Sequence, residues 1–340
     1  MDLLGTYQTI RKIRQRQMNK KLEEERVFNQ RVDALFSNMY DDVDEKLTAL
    51  YTKYADENGY SYSQALGMAR LTDINKLGKD IDKLIGRNDL TDSEIKQLEQ
   101  YKQLAKINQL ELMKARTAIT MKEYGLEMRE EMFKYLGEST IKDLIEQCGI
   151  YGDFNGAATR LDAQMLQELI YGTDERLESL WSKRIWNMTD EFANDVNYLL
   201  AQKLSQQITA VEFAAQLKKY VSKNVKRPGY VAKRLARTES ARIEGEVNTT
   251  LWEQGGYEFY EFIAEGGHIC EKCKPLDGKV YKISEQQAGV NFYPMHPNCR
   301  CSAVAATDPD FNYDAWLDSL AGQHEAAQHF EQLSLDLFGD

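Results

Sequence analysis

Four of the five cysteines of this 340-residue chain lie close together, as Cys270-x-x-Cys273 followed by His296-Pro297-Asn298-Cys299-Arg300-Cys301. Thiols paired at short spacing, with a loop between the pairs, are the donors with which a small fold surrounds zinc. Cys299 and Cys301 fall on the same side of an extended segment, so two ligands can come from one strand. His296, set between Pro294 and Pro297, is held rigidly, which suits either a ligand replacing one of that last pair or a fold-specific hydrogen bond. The spacing therefore predicts a zinc site on Cys270, Cys273, Cys299 and Cys301, with His296 as the substitute ligand; four reduced buried thiols are the plain alternative. Between the pairs, Leu276-Asp277-Gly278-Lys279-Val280-Tyr281 reads as a turn entering a strand. A metal that pins a turn to a strand is structural rather than catalytic.

Arg237 and Glu239 set a guanidinium beside a carboxylate, which could serve acid–base work. No second carboxylate motif or nucleophile elbow completes such a site, so the two read as a buried polar network fixing a helix against strands. From Lys218 to Arg237 there are eight Lys or Arg and no acid, whereas from Cys301 to Asp340 there are eight Asp or Glu and no Lys or Arg. A formal net charge of −11 excludes a protein whose whole surface coats nucleic acid. Lys218, Lys219, Lys223, Lys226, Arg227, Lys233 and Arg234 remain candidates for contact with DNA or an acidic partner, screened in the free protein by the acidic tail. The bland reading is a solvated helix face with a turn at Arg227-Pro228-Gly229. Cys148, alone in a helical segment, reads as a small buried apolar residue. Trp181, Trp186 and Trp252 read as core anchors, and His324 and His329 are too isolated to be ligands.

The elements that position these residues follow from the breakers. All five prolines lie at or beyond Pro228, so long helices are allowed upstream. A first helix is expected from about Thr6 to Ala55, with apolar residues such as Ile10, Ile13, Val32, Leu35, Met39, Val43 and Leu47 at helical spacing. A capping box at Thr91-Asp92-Ser93-Glu94 opens a second run to about Leu136, a helix of some forty residues and about 60 Å. A helix that long must pack on another, as an antiparallel hairpin with the first or through self-association of subunits. Gly59 to Ser63 and Gly86 to Asp89 mark the breaks. Further helices are expected after Thr173-Asp174-Glu175-Arg176, after the box at Thr209-Ala210-Val211-Glu212, and after Tyr230. The alternation in Tyr257-Glu258-Phe259-Tyr260-Glu261-Phe262-Ile263 reads as a strand. The fold class is thus mainly α with a C-terminal α+β domain, long N-terminal helices preceding a zinc-stapled small sheet.

No stretch approaches eighteen apolar residues, so no membrane is required. The start, Met1-Asp2-Leu3-Leu4-Gly5-Thr6, runs into Arg11-Lys12-Ile13-Arg14 without a secretory profile. Synthesis in a reducing cytoplasm is expected, where clustered thiols favour metal over disulfide.

Taken in order, Arg234-Leu235-Ala236-Arg237-Thr238-Glu239, a strand ending near Glu265, Cys270-x-x-Cys273, the Leu276 to Tyr281 turn and His296-Pro297-Asn298-Cys299-Arg300-Cys301 resemble the phage Mu F-like minor head protein (head morphogenesis) family of tailed bacteriophages. The resemblance runs from about Ser179 to Ala305 and is weaker upstream. It implies a few copies in the procapsid near the portal vertex, contact with portal or major capsid protein and with packaged DNA, residence in the virion, and for some members exit with the DNA. The expected domains are a helical arm over 1–150, the head-protein domain over 151–305 and an acidic tail over 306–340. Many relatives resemble an Asp-x-Arg pattern before the first thiol; here Glu265-Gly266-Gly267-His268-Ile269-Cys270 leaves the Arg role unfilled or partly filled by His268. Toxin relatives carry an added effector domain, for which the roughly 35 residues after Ala305 are too few. The expected function is non-enzymatic. The rival is a zinc-stabilised HNH-like nuclease using His296 and Asn298, with the Lys218 to Arg237 stretch on DNA, but the general base and cation ligands it needs are not recognisable.

Overall fold

A computed structural model describes residues 3–56, 58–151, 162–171, 180–224, 226–265 and 269–306. The expected cap at Thr173 to Arg176, His268, the side chain of Cys148, and the acidic tail with His324 and His329 lie outside the described residues. The chain is mainly helical and ends in a small antiparallel sheet. In chain order the helices are α1 (Leu3–Tyr54), α2 (Tyr62–Ala65), α3 (Leu71–Ile85), α4 (Asp92–Leu104), α5 (Gln109–Tyr151), α6 (Ala163–Tyr171), α7 (Leu180–Ser205), α8 (Ala210–Asn224) and α9 (Lys226–Gln254). The strands are β1 (Phe259–Ile263), β2 (Val280–Lys282) and β3 (Ser302–Ala306).

Two compact units form: Met1–Gln30, Met132–Thr173 and Lys233–Asp340 in one, Arg31–Glu131 and Asp174–Ala232 in the other. The arm expected over 1–150 is therefore divided, its two ends belonging with the sheet and its middle with α7 and α8. In the helical unit, α3 and α4 form a hairpin whose Leu77, Ile81, Leu84 and Leu98 pack with Leu112, Ile119, Leu126 and Trp186. The Thr91 box is present, with Glu94 N–H on Thr91 Oγ1 at 3.3 Å and Thr91 N–H on the Glu94 carboxylate at 3.0 Å. The helix it opens stops at Leu104, not near Leu136. Asn108 starts a new one, its Oδ1 accepting the Glu111 N–H at 2.8 Å, so a side-chain cap wins over continued helical bonding. The antiparallel partner of α1 is accordingly α5, through Lys46–Glu123 at 3.3 Å and Arg31–Glu131 at 3.6 Å in this unit. The Thr209 box caps α8 as expected, through Glu212 at 2.9 Å. The turn expected at Arg227-Pro228-Gly229 is instead the first turn of α9, where a proline lacks only a donor that has no helical acceptor.

In the sheet unit, β1 is central, pairing Tyr260 with Tyr281 on β2 and with Ala305 on β3. Trp252, Tyr260, Phe262, Phe292 and Tyr293 fill the core under it, together with Cys273, Cys299 and Cys301. Trp181, Trp186 and Trp252 are all buried. Gly278, at φ +74°, supplies the left-handed turn into β2 that a side chain would strain. Gly245 on α9 matters for closeness instead: a Cβ there would lie 2.9 Å from Phe292 Cε1 and 3.4 Å from the Tyr293 carbonyl. Gly245→Val should lower the unfolding free energy of this unit by about 1–3 kcal/mol, the usual range for overpacking, as read by urea denaturation.

Candidate metal centre

Two tight turns carry the donors. Cys273 N–H reaches the Cys270 carbonyl at 3.1 Å and its sulfur at 3.4 Å, and Cys299 N–H reaches the His296 carbonyl at 3.1 Å. Lys272 Nζ donates to the Met295 carbonyl at 2.7 Å, drawing the two turns together. Asn298, at φ +78°, gives its N–H to Thr238 Oγ1 at 3.0 Å, so the threonine between Arg237 and Glu239 anchors the second turn to α9. Asp277 Oδ1 accepts the Ala264 N–H at 2.9 Å and fixes the other side of the loop to the end of β1.

The five candidate ligands meet in two triads that share Cys273: Cys270, Cys273 and His296, and Cys273, Cys299 and Cys301, the donor atoms of each within 4.8 Å of one another. All four of these thiols are free, and Cys273, Cys299 and Cys301 are buried. His296 Nε2 lies 3.1 Å from the Cys270 sulfur and 3.4 Å from that of Cys273, while Nδ1–H donates to the Pro297 carbonyl at 3.0 Å. That second bond fixes the tautomer and turns the lone pair of Nε2 toward the sulfurs.

The donor chemistry fits a dication. Burial pushes Cys273 up to about 12, aided by its bond to Cys270. The hydrogen bond to Cys299 and burial raise Cys301 as well. Cys299 is drawn down to about 5 because it accepts from the Cys301 thiol and from backbone N–H groups. Burial opposes ionisation of Cys270, yet the backbone N–H and thiol of Cys273 hold it near 7. Such neighbours share protons because so many thiolates cannot ionise together unaided, and a metal ion supplies the missing positive charge. Zinc fits the N/S set, and with four donors it would cross-link the turns and leave no open position.

Arg237 and Glu239 do not pair with each other. Arg237 pairs with Glu25 on α1, and Glu239 with Arg242 at 2.8 Å. Glu25 also takes Arg300, the residue between Cys299 and Cys301, at 2.9 and 3.2 Å. One carboxylate thus ties α1, α9 and the donor loop together, and sequence reasoning missed it because 275 residues separate Glu25 from Arg300. Of the basic stretch, Lys218, Lys219 and Arg234 are exposed and Lys233 half-buried, while the side chains of Lys223, Lys226 and Arg227 lie outside the described residues.

Residues 194–304 match the family model described as Phage Mu protein F like protein. This segment is similar to the phage Mu F-like family over about a third of the chain. The matched span runs from α7 to β3 and contains both donor turns, Thr238 and Arg300, in agreement with the resemblance read from the sequence. The likeness is to a phage head-related family. Neither a curated protein nor a solved structure matches the chain. Among the described residues no helix is long and apolar enough to cross a membrane.

Proposed function

We propose that the chain is a non-enzymatic minor head protein, acting at the portal vertex or inside the procapsid and able to leave with the DNA, with its Mu F-like domain stapled by one structural zinc. The observation that carries this reading is a Mu F-like domain closed on a buried thiol cluster. The cavity beside that cluster, between Cys299, Cys301, Glu25, Arg237 and Glu244, is only about 30 Å³, room for a water and not a substrate. Portal or major capsid protein is the partner, and Lys218, Lys219, Lys223 and Lys226 the side chains offered to it or to packaged DNA.

Replacing those four lysines with Gln should leave zinc content and helicity unchanged and reduce incorporation into heads severalfold, measured by quantifying the protein in purified particles. Normal incorporation of that variant would remove the basic stretch from the mechanism. Absence of the wild-type protein from both procapsids and mature heads would overturn the assembly reading itself. Incubating the protein, beside Cys299→Ala, with plasmid DNA and magnesium or manganese tests the enzymatic rival. No cleavage is expected from either, and metal-dependent cutting by the wild type alone would favour the nuclease.

A further inference from the structure

One end of the hairpin formed by α3 and α4 carries large apolar side chains in the open. Tyr62, Leu66, Met68 and Leu71 lie on α2, the loop after it and the first residue of α3, and Leu104 and Ile107 lie at and just beyond the end of α4. All of them are exposed, Met68 at 84%, Leu71 at 70% and Ile107 at 58%. The hairpin sets the start of α3 beside the end of α4, and Gln109 fastens the two stretches together. Its N–H donates to the Gly67 carbonyl at 2.9 Å and its side-chain amide to the Met68 carbonyl at 3.1 Å, while the Tyr60 hydroxyl donates to its Oε1 at 2.6 Å. Ala65, Ala105 and Leu110, interleaved with the exposed residues, are buried, so the bare side chains are the outer face of a packed structure. Single exposed apolar residues are ordinary; a group of them gathered in one place marks a site of contact.

The charges around this face are of one sign. Residues 60–72 and 100–110 contain Arg70, Lys102 and Lys106 and no Asp or Glu, in a chain whose net charge is −11. Lys102 is paired with Asp82, and the first acid past the face, Asp73, is held by Lys53 and the Tyr54 hydroxyl. Arg70 and Lys106 form no ion pair among the described residues: Arg70 lies over the Tyr54 ring, 5.6 Å from its centre, and Lys106 Nζ donates to Gln103 Oε1 at 3.0 Å. A second copy is a poor occupant, because a two-fold contact sets the same patch against itself and crowds these cations of both copies together. We infer that this end of the α3–α4 hairpin is a docking face for an amphipathic segment of another protein, an apolar stripe bordered by carboxylates. Leu66, Met68, Leu71 and Ile107 receive the stripe, and Arg70 and Lys106 receive the carboxylates. The face involves neither the donor residues nor the stretch from Lys218 to Arg237, so it goes beyond the head-protein reading and stands or falls without it.

The test titrates full-length protein, by fluorescence anisotropy, with two synthetic helical peptides that share a leucine stripe and differ only in its borders, glutamate in one and lysine in the other. The wild type should bind the glutamate peptide at least about tenfold more tightly, and added salt should narrow that margin. Met68→Asp, at a side chain that is mostly in solvent, should weaken the glutamate peptide by more than about tenfold, since a charge is then buried in the contact. Arg70→Glu combined with Lys106→Glu should reverse the preference between the peptides, which a loss of folding cannot do. Equal binding of the two peptides, binding of neither, or indifference to Met68→Asp would overturn the docking face. A wild-type dimer, seen by light scattering and dissolved by Met68→Asp, would give the face to a second copy, and peptide binding that appears only once residues 307–340 are removed would give it to the acidic tail. Either of those results also overturns the assignment to another protein.

Discussion

Stripping zinc from the loaded protein with a chelator should unfold residues 259–306 while the helices of the unit formed by 31–131 and 174–232 persist. The sheet has little of its own to hold it. β1 and β3 are five residues long and β2 three, and a sheet of that size is marginal without other support. The loop that joins β2 to β3 and the loop before β2 are tied together largely through the donor turns, and Cys273, Cys299 and Cys301 themselves form part of the core with Trp252, Tyr260 and Phe292. Zinc bound to small domains contributes on the order of 10–16 kcal/mol, more than the whole stability of a typical domain. The helical unit instead buries Leu77, Ile81, Leu98, Ile119 and Leu126 in a core that contains none of the donors. Hydrogen exchange is the measurement: amides of β1 and β3 should lose protection on chelation and regain it with zinc, and those of α3 and α4 should change little. Unaltered protection of β1 in metal-free protein would show that the sheet stands without the ion.

The donor cluster was legible in the sequence because its chemistry is local. Two turns of fixed spacing declare themselves, as do the Leu276 to Tyr281 turn and the alternation in β1. The contacts of His296 were not legible, since they depend on where Nε2 points, which is toward the sulfurs of Cys270 and Cys273. Helix ends were legible where the cap was a complete box, as at Thr91 and Thr209. The break at Asn108 was missed because Leu104, Ile107 and Leu110 keep a helical rhythm across it, and a single amide side chain decides against that rhythm. Least legible was the division of α1. Its apolar spacing says that it packs on something, and the antiparallel α5 satisfies that. Nothing in its first thirty residues announces that Arg14, Lys21 and Glu25 meet Glu244, Asp143, Arg237 and Arg300. Periodicity names a buried face, whereas a charge network needs partners that only the tertiary fold brings near. Buried Lys122 makes the same point in the other unit, its ammonium lying 2.9 Å from the Trp186 carbonyl, 2.7 Å from Asp190 and 3.9 Å from the centre of the Trp186 ring. Burial lowers its pKa to about 8 despite those partners.

Within the charge network of the sheet unit, Glu244→Gln should be severe and Asp143→Asn mild, although both carboxylates are buried and both touch Lys21. Glu244 takes Arg14 and, at 2.5 Å, Lys21, whereas among the described residues Asp143 forms an ion pair with Lys21 alone, at 3.0 Å. Burial by itself would raise both carboxyls. For Glu244 the two cations outweigh burial and bring its pKa down to about 2; for Asp143 burial prevails, reinforced by the Glu244 charge, and its pKa stands near 6. The signs of the pH effects are opposite. The contribution of Glu244 is fully present above its unfolded value near 4.5 and is lost as pH falls toward 2. Asp143 binds its proton more tightly folded than unfolded, so it destabilises progressively as pH rises from about 3.8 to about 6, and fully above that. Stability of the wild type should therefore rise on acidification from neutral pH to about 5 and fall again below about 4. Asp143→Asn, which keeps an oxygen for Lys21, should abolish the first rise and change stability at pH 7 by less than about 1 kcal/mol, or increase it. Glu244→Gln leaves Arg14 and Lys21 buried beside a neutral amide and should cost about 3–5 kcal/mol at pH 7, since breaking a buried pair strands a charge. Urea denaturation of both variants across pH 3–8 is the measurement. Equal losses for the two at pH 7, or a rise toward pH 5 that survives in Asp143→Asn, would show that the pair shares its charge evenly and that Asp143 is not the protonated member.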